Sequence, residues 1–172
     1  MRKLIYLIVL VFIITACEPP YHPKPDYITF YKINHTIGVS ESYTLDNGMI
    51  FKIDMNEYNE VSASILKQKY SSYGDGYTKV LVNYNNQIFM LNEDYSITSS
   101  NHWGSSAKIS LEQFAGKGEK YIGYRHQSPP LGNDYYYGWI KISLSADKKT
   151  LHIISNAINY TENNPILAGQ MK

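Results

Sequence analysis

The chain has 172 residues, enough for one domain with a genuine core. Its 16 Lys and Arg against 15 Asp and Glu give a formal net charge of +1, which argues against a nucleic-acid partner, since that would call for clustered basic residues. A lone cysteine excludes an internal disulfide, and tyrosine is the compositional outlier, with 17 against 5 phenylalanines and 2 tryptophans.

Arg2 and Lys3 precede an uninterrupted apolar run from Leu4 to Ile14, the layout of a secretory signal. The run is too short to span a bilayer, which needs about 20 apolar residues. Polar Thr15 and Glu18 end it. The stretch Ile14-Thr15-Ala16-Cys17 resembles the lipobox of bacterial lipoproteins. That resemblance implies cleavage before Cys17, so that residues 1–16 are a signal peptide, and attachment of diacylglycerol to the Cys17 thiol. Each buried methylene contributes roughly 0.8 kcal/mol, so two or three acyl chains anchor stably where one would be marginal. An exported protein with one unpaired cysteine needs a use for it, and lipidation is that use. The alternative is a chance cysteine at the end of an ordinary signal.

Residues 17–26 read as a tether, with Pro19, Pro20, Pro23 and Pro25 among the seven prolines of the chain. Polyproline II geometry, about 3.1 Å per residue, would hold a domain on the order of 25 Å from the lipid. Glu18 stands where similar lipoproteins kept at the inner membrane carry aspartate, so the resemblance favours the outer membrane. Without Arg2 and Lys3 the 16 basic residues become 14 against 15 acidic, near −1 for the mature chain.

From residue 27 to 172 short apolar and β-branched runs alternate with Gly, Asn, Asp and Ser, as strands separated by turns should. The expected strands are 27–31, 49–54, 60–66, 79–84, 87–91, 121–126, 136–145 and 150–157. About eight such strands predict an all-β, antiparallel, jelly-roll-like sandwich. Asn85-Asn86 is expected to form a two-residue hairpin with positive φ, and "ADKK" to link the strands at 136–145 and 150–157. Ile140, Ile142 and Leu144 alternate with Lys141, Ser143 and Ser145, one buried face and one wet one. Helix is confined to 108–118, where Ser110 and Gln113 make a minimal capping box.

The C-terminal stretches "YIGYRH", "YYYGWIKIS" and "PILAGQ" are similar to a pattern in β-rich secreted or surface bacterial proteins, including PEP-CTERM-type proteins. That resemblance covers about a third of the chain. It implies a β-rich extracellular domain and no established activity.

Several constellations bear on chemistry. Asp54, Asn56 and Glu60 alternate as hard oxygen ligands of a weak calcium site would, with Tyr58 in place of an acid and no glycine for the sharp turn. The other reading is a polar strand end. Ser105 and Lys108 have the spacing of a lysine-activated serine, but the S-D-N and K-T-G companions are missing. His22, His35, His102, His126 and His152 show no zinc spacing. Glu112, Glu119 and Asp134 are the acids nearest aromatic strands, and a glycosidase would need two carboxyls roughly 5–9.5 Å apart.

The aromatic run Tyr135, Tyr136, Tyr137 and Trp139, beside Tyr121 and Tyr124, offers a platform on which sugar faces could stack. Core and cross-strand packing is the competing account. Trp103, in a loop-like stretch, is the ring expected at the surface, the equal alternative being that it plugs the end of the sandwich. The combined reading is a lipid-anchored, non-catalytic envelope protein that binds a glycan or another envelope protein. A purely structural surface lipoprotein and a hydrolase with an unrecognised carboxylate pair are the alternatives.

Overall fold

The computed structural model describes residues 26–46, 49–56, 61–67, 78–105, 107–128 and 133–172. The expected signal, Cys17 and the tether up to Pro25 lie outside the described residues. Among those described, the strands are β1 (Ile28–Ile37), β2 (Ser42–Thr44), β3 (Met49–Met55), β4 (Val61–Lys67), β5 (Thr78–Leu81), β6 (Ser96–Ile97), β7 (Trp103–Gly104), β8 (Ala107–Ile109), β9 (Glu119–Gln127), β10 (Tyr135–Leu144), β11 (Leu151–Asn159) and β12 (Ile166–Leu167). One helical turn, α1 (Leu111–Phe114), precedes β9. The large sheet runs β1-β11-β10-β9-β5-β7 and the small one β2-β3-β4-β8, while β12 and β6 pair separately. All these named strand pairs are antiparallel.

Alternation along β10 divides its side chains between two cores. Ile140, Ile142 and Leu144 join Ile122, Tyr124 and Ile153 of the large sheet against Phe51, Ile53 and Ile65 of the small sheet. This is the sandwich interior, and each fully buried aliphatic or phenyl side chain contributes about 2 kcal/mol there. Tyr137 and Trp139 face the other way. With Tyr121, Ala157 and Leu81 they form a second core, closed by Leu91, Ile97, Ile166 and Ala168. The large sheet is thus covered on both faces, its outer face by the segments around β6 and β12.

Gly138 makes this double burial feasible. A Cβ there would stand 2.3 Å from Tyr124 Cζ and 2.6 Å from the Ala157 carbonyl oxygen. Only a bare Cα lets the Tyr124 ring cross the sheet at that point.

The antiparallel sandwich and its single short helix match the expectation, and the strands predicted at 121–126, 136–145 and 150–157 form β9, β10 and β11. Three local details differ. The hairpin after β5 has a three-residue loop: Asn83 N–H donates to Gln87 O (2.8 Å), Asn86 N–H donates to Asn83 O (3.0 Å), and Asn86 alone of the asparagine pair takes positive φ. A type I turn followed by one left-handed residue therefore replaces the two-residue turn. Residues 87–91 form bridges to three different partners rather than one strand, because Ile88 is drawn into the inner core and Leu91 into the outer one. At α1 the Ser110 side chain makes no capping hydrogen bond, so the capping box does not form and the helix stops after one turn with Phe114 buried.

Candidate functional site: an arginine clasped between aromatic rings

The four-residue aromatic run does not make one platform. Strand alternation sends Tyr135, Tyr137 and Trp139 to the outer face of β10 and Tyr136 to the inner face. Successive rings then meet different neighbours.

Trp139 is structural. It is 1% exposed, packs edge-on against Tyr121 at 5.3 Å, and its indole N–H donates to the Gln170 carbonyl at 2.9 Å. Neither its ring face nor its polar atom remains for a ligand, which corrects its placement in a sugar platform.

Two residues along, the same face is built differently. Arg125 on β9 lies opposite Tyr137 on β10 and opposite Lys79 on β5. Its guanidinium carbon sits 4.0 Å from the Tyr135 ring centroid and 5.0 Å from that of Trp103. Trp103 in turn stands 6.0 Å from Tyr137. Because β7 pairs only with β5 at the sheet edge, Trp103 closes this end as a half-buried side wall. Tyr135 is held from below: its backbone N–H donates to Asn163 Oδ1 (3.0 Å), its carbonyl accepts from Asn163 N–H (2.8 Å), and Asn163 Nδ2 donates to Asp134 (2.6 Å).

Polar accounting separates this end from its surroundings. Four buried side-chain polar atoms lack a hydrogen-bond partner among the described residues, and three are here: Trp103 Nε1, Arg125 Nε and Tyr137 Oη. The fourth is Asn156 Oδ1. Buried polar groups are ordinarily paired, so three unpaired donors in one cluster are a departure from the norm. Tyr137 is fully buried. Burial raises the pKa of its phenol, with the Arg125 charge opposing that, so the hydroxyl is neutral at physiological pH. Ser99 and the Arg125 side chain both stand close to that hydroxyl and act to lower its pKa against the effect of burial.

Among the described residues, no carboxylate forms an ion pair with either of the two cations. The ion pairs among the described residues are Lys52–Asp54 at 2.8 Å and Lys141–Glu119 at 3.1 Å. Acids at this end are engaged elsewhere: Asp26 accepts from Asn159 and Asn164, Asp134 from Asn163, and Glu162 from Ser128. Sequence reasoning singled out Trp103 and Tyr135 but missed Arg125 and Lys79. Their signal was a basic residue on a strand whose partner strand is aromatic, legible only once the register is known.

Tyr136 belongs to a second cluster at the end of the inner face. It meets Tyr160 edge-on at 5.3 Å, and Tyr160 stands 6.0 Å from Tyr27. Ser128 Oγ lies 2.9 Å from Tyr136 Oη and 2.7 Å from Glu162 Oε1; a carboxylate only accepts, so the serine donates to Glu162. Tyr27 is 67% exposed, and Tyr31 and Tyr160 are exposed beside it. Although part of the Tyr160 ring is exposed, partial desolvation of the side chain, aided by the hydrogen bond to neighbouring Tyr31, pushes its pKa up to about 12.

The remaining candidates are dispersed. Asp54 lies within β3, its carboxylate on Lys52, and Glu60 and Tyr58 lie outside the described residues, so only Asp54 and Asn56 of the calcium set can be placed. Among the described residues no group of three or more His, Cys, Asp or Glu could hold a metal ion. Lys108 is on β8, so Ser105 and Lys108 do not share a helical turn. His126 Nδ1 is 2.8 Å from Thr78 Oγ1, and His35 stacks on Tyr43. Glu119 pairs with Ser143 near one end of β10 and Asp134 precedes the other end, about 30 Å away at ~3.3 Å per residue, well beyond a glycosidase pair.

No family model matches the chain, and no curated protein or solved structure matches it either.

Proposed function

We propose that this is a lipid-anchored bacterial envelope protein, exported by residues 1–16, acylated at Cys17 and favoured at the outer membrane, that acts by binding a glycan without catalysis. The observation carrying the binding role is the Arg125 guanidinium held between Trp103 and Tyr135, beside buried donors that find no acceptor among the described residues. Sugars present apolar ring faces and dense acceptor oxygens, the complement of half-buried aromatic walls and a guanidinium beside them. The lipobox motif supports the anchor, and the sandwich fold supports a rigid scaffold for the site.

The experiment is a glycan array probed with the full-length protein in detergent, beside Trp103→Ala and Tyr135→Ala. Retention of glycan by the native protein and its loss in both variants is the expected result. Failure of the native protein to retain any glycan overturns the binding role. The anchor is tested separately: mass spectrometry of the native molecule should find Cys17 diacylated and N-terminal, and a bare thiol sinks that part.

A second reading, an envelope-protein partner, is favoured by the exposed Tyr27, Tyr31 and Tyr160. Tyrosine is over-represented in protein interfaces. Crosslinking in the native membrane, with Tyr31→Ser as control, distinguishes it from the first.

A further inference from the structure

We propose, resting on the glycan-binding reading, that the ligand is an acidic sugar, and that Arg125 and Lys79 form its carboxylate-recognition pair. The two residues face each other across β9 and β5 on the same outer face of the sheet. Both are half-buried, and neither has a carboxylate partner among the described residues. Two neighbouring like charges with no counter-ion raise the local potential, and the unpaired N–H groups behind them add to it.

The geometry of Arg125 narrows the class. Its Nε is buried without a hydrogen-bond partner among the described residues, while the side chain as a whole is only half-buried. The Tyr135 ring, with its centroid 4.0 Å from the guanidinium carbon, restricts the group to one aromatic face. A planar fork restricted in this way matches a carboxylate, which accepts two parallel N–H bonds. Lys79 supplies a second, point-like charge from the side. The fully buried hydroxyl of Tyr137 and the indole N–H of Trp103 then lie behind the bound group, their desolvation offset by its negative charge. A neutral sugar would leave that field uncompensated.

The test is calorimetric titration of the full-length protein with oligomers of galacturonate, mannuronate and glucuronate, each beside its carboxyl-reduced neutral counterpart. At least one acidic oligomer should bind about tenfold or more tightly than its neutral partner, the margin expected of a charge-assisted bidentate contact. Arg125→Gln should erase that margin, and Lys79→Gln, at a half-buried position near the sheet edge, should reduce it. Rising salt should weaken the acid and leave the neutral sugar unchanged. Equal affinity for acid and neutral forms overturns the acidic specificity and leaves glycan binding standing. Silence from every oligomer together with a blank array overturns both. Should Arg125→Gln fail to fold, the Lys79→Gln margin and the salt dependence decide the matter.

Discussion

Trp139 and Trp103 lie at two ends of the same outer face, and they are finished differently. Around Trp139 the tryptophan and the cation both have partners: the indole N–H has the Gln170 carbonyl, and Lys141 has Glu119 and the Tyr121 ring at 5.0 Å. Around Trp103 the indole N–H, the Arg125 Nε and the Tyr137 hydroxyl have none among the described residues. The composition of the two ends is similar, a cation among tyrosines beside a tryptophan. Polar satisfaction is what tells them apart: it marks the first as core and leaves the second with unmatched donors.

The largest effect should come from removing the closed tryptophan. Trp139→Ala is expected to cost about 3–5 kcal/mol, since it empties a fully buried volume and orphans the Gln170 carbonyl. Trp103→Ala, at a half-buried wall, should cost about 1 kcal/mol. Denaturant unfolding of the two variants measures both. Equal costs would mean that the open end is core as well.

Next comes Tyr137→Phe. Its hydroxyl is buried with no partner among the described residues, so deleting it should leave stability unchanged or raise it by up to about 1 kcal/mol. A loss of more than that would reveal a hydrogen bond, to Ser99 for example, and the end would no longer count as open. The same variant should weaken glycan binding if the hydroxyl serves the ligand.

The contrast also explains how much could be read beforehand. Isoleucines at 140 and 142 alternating with Lys141 and Ser143 announced β10 and its buried face, because period-two burial is written in one strand alone. The family-like "YGW" holds two structural residues, a glycine that admits Tyr124 and a tryptophan that packs on Tyr121. Two-residue strands such as β6, β7 and β12 are too short to carry a period, so the covering layer was illegible. Without that layer the outer face of β10 reads as wet. Arg125 was invisible as a site residue for the same reason: its partners come from β5, β7 and β10, and only sheet register joins them. Trp103 and Tyr135 were found because aromatic residues beside loops stand out; Tyr136 and Trp139 came with them although alternation and burial give them other roles.

A smaller and pH-dependent effect belongs to the tyrosine cluster on the inner face. Tyr160 has its pKa raised from 10.0 to about 12 in the folded protein, while an unfolded tyrosine ionises near 10. Between these values the unfolded chain has lost the proton and the folded one has kept it, so stability is full below about pH 10 and falls as pH rises toward 12. Thermal melts across that window should show the fall, and Tyr160→Phe should flatten part of it. An alkaline profile identical in the variant would mean that Tyr160 ionises freely in the folded state.

The smallest effect sharpens the difference between the two cations. Glu119→Gln removes the counter-charge of Lys141 and so gives the closed end the condition that Arg125 has natively. The cost should be under about 0.5 kcal/mol, because the Glu119 side chain is 58% exposed and water screens the pair. Lys141 should stay protonated, since its hydrogen bond to Tyr121 is the main reason its pKa lies above the usual lysine range and Glu119 adds less. If the variant instead acquires affinity for acidic oligosaccharides at Lys141, an uncompensated cation beside a tyrosine suffices for binding and the ring clasp at Arg125 is dispensable. If it does not, the clasp of Trp103 and Tyr135 is what converts a bare charge into a site.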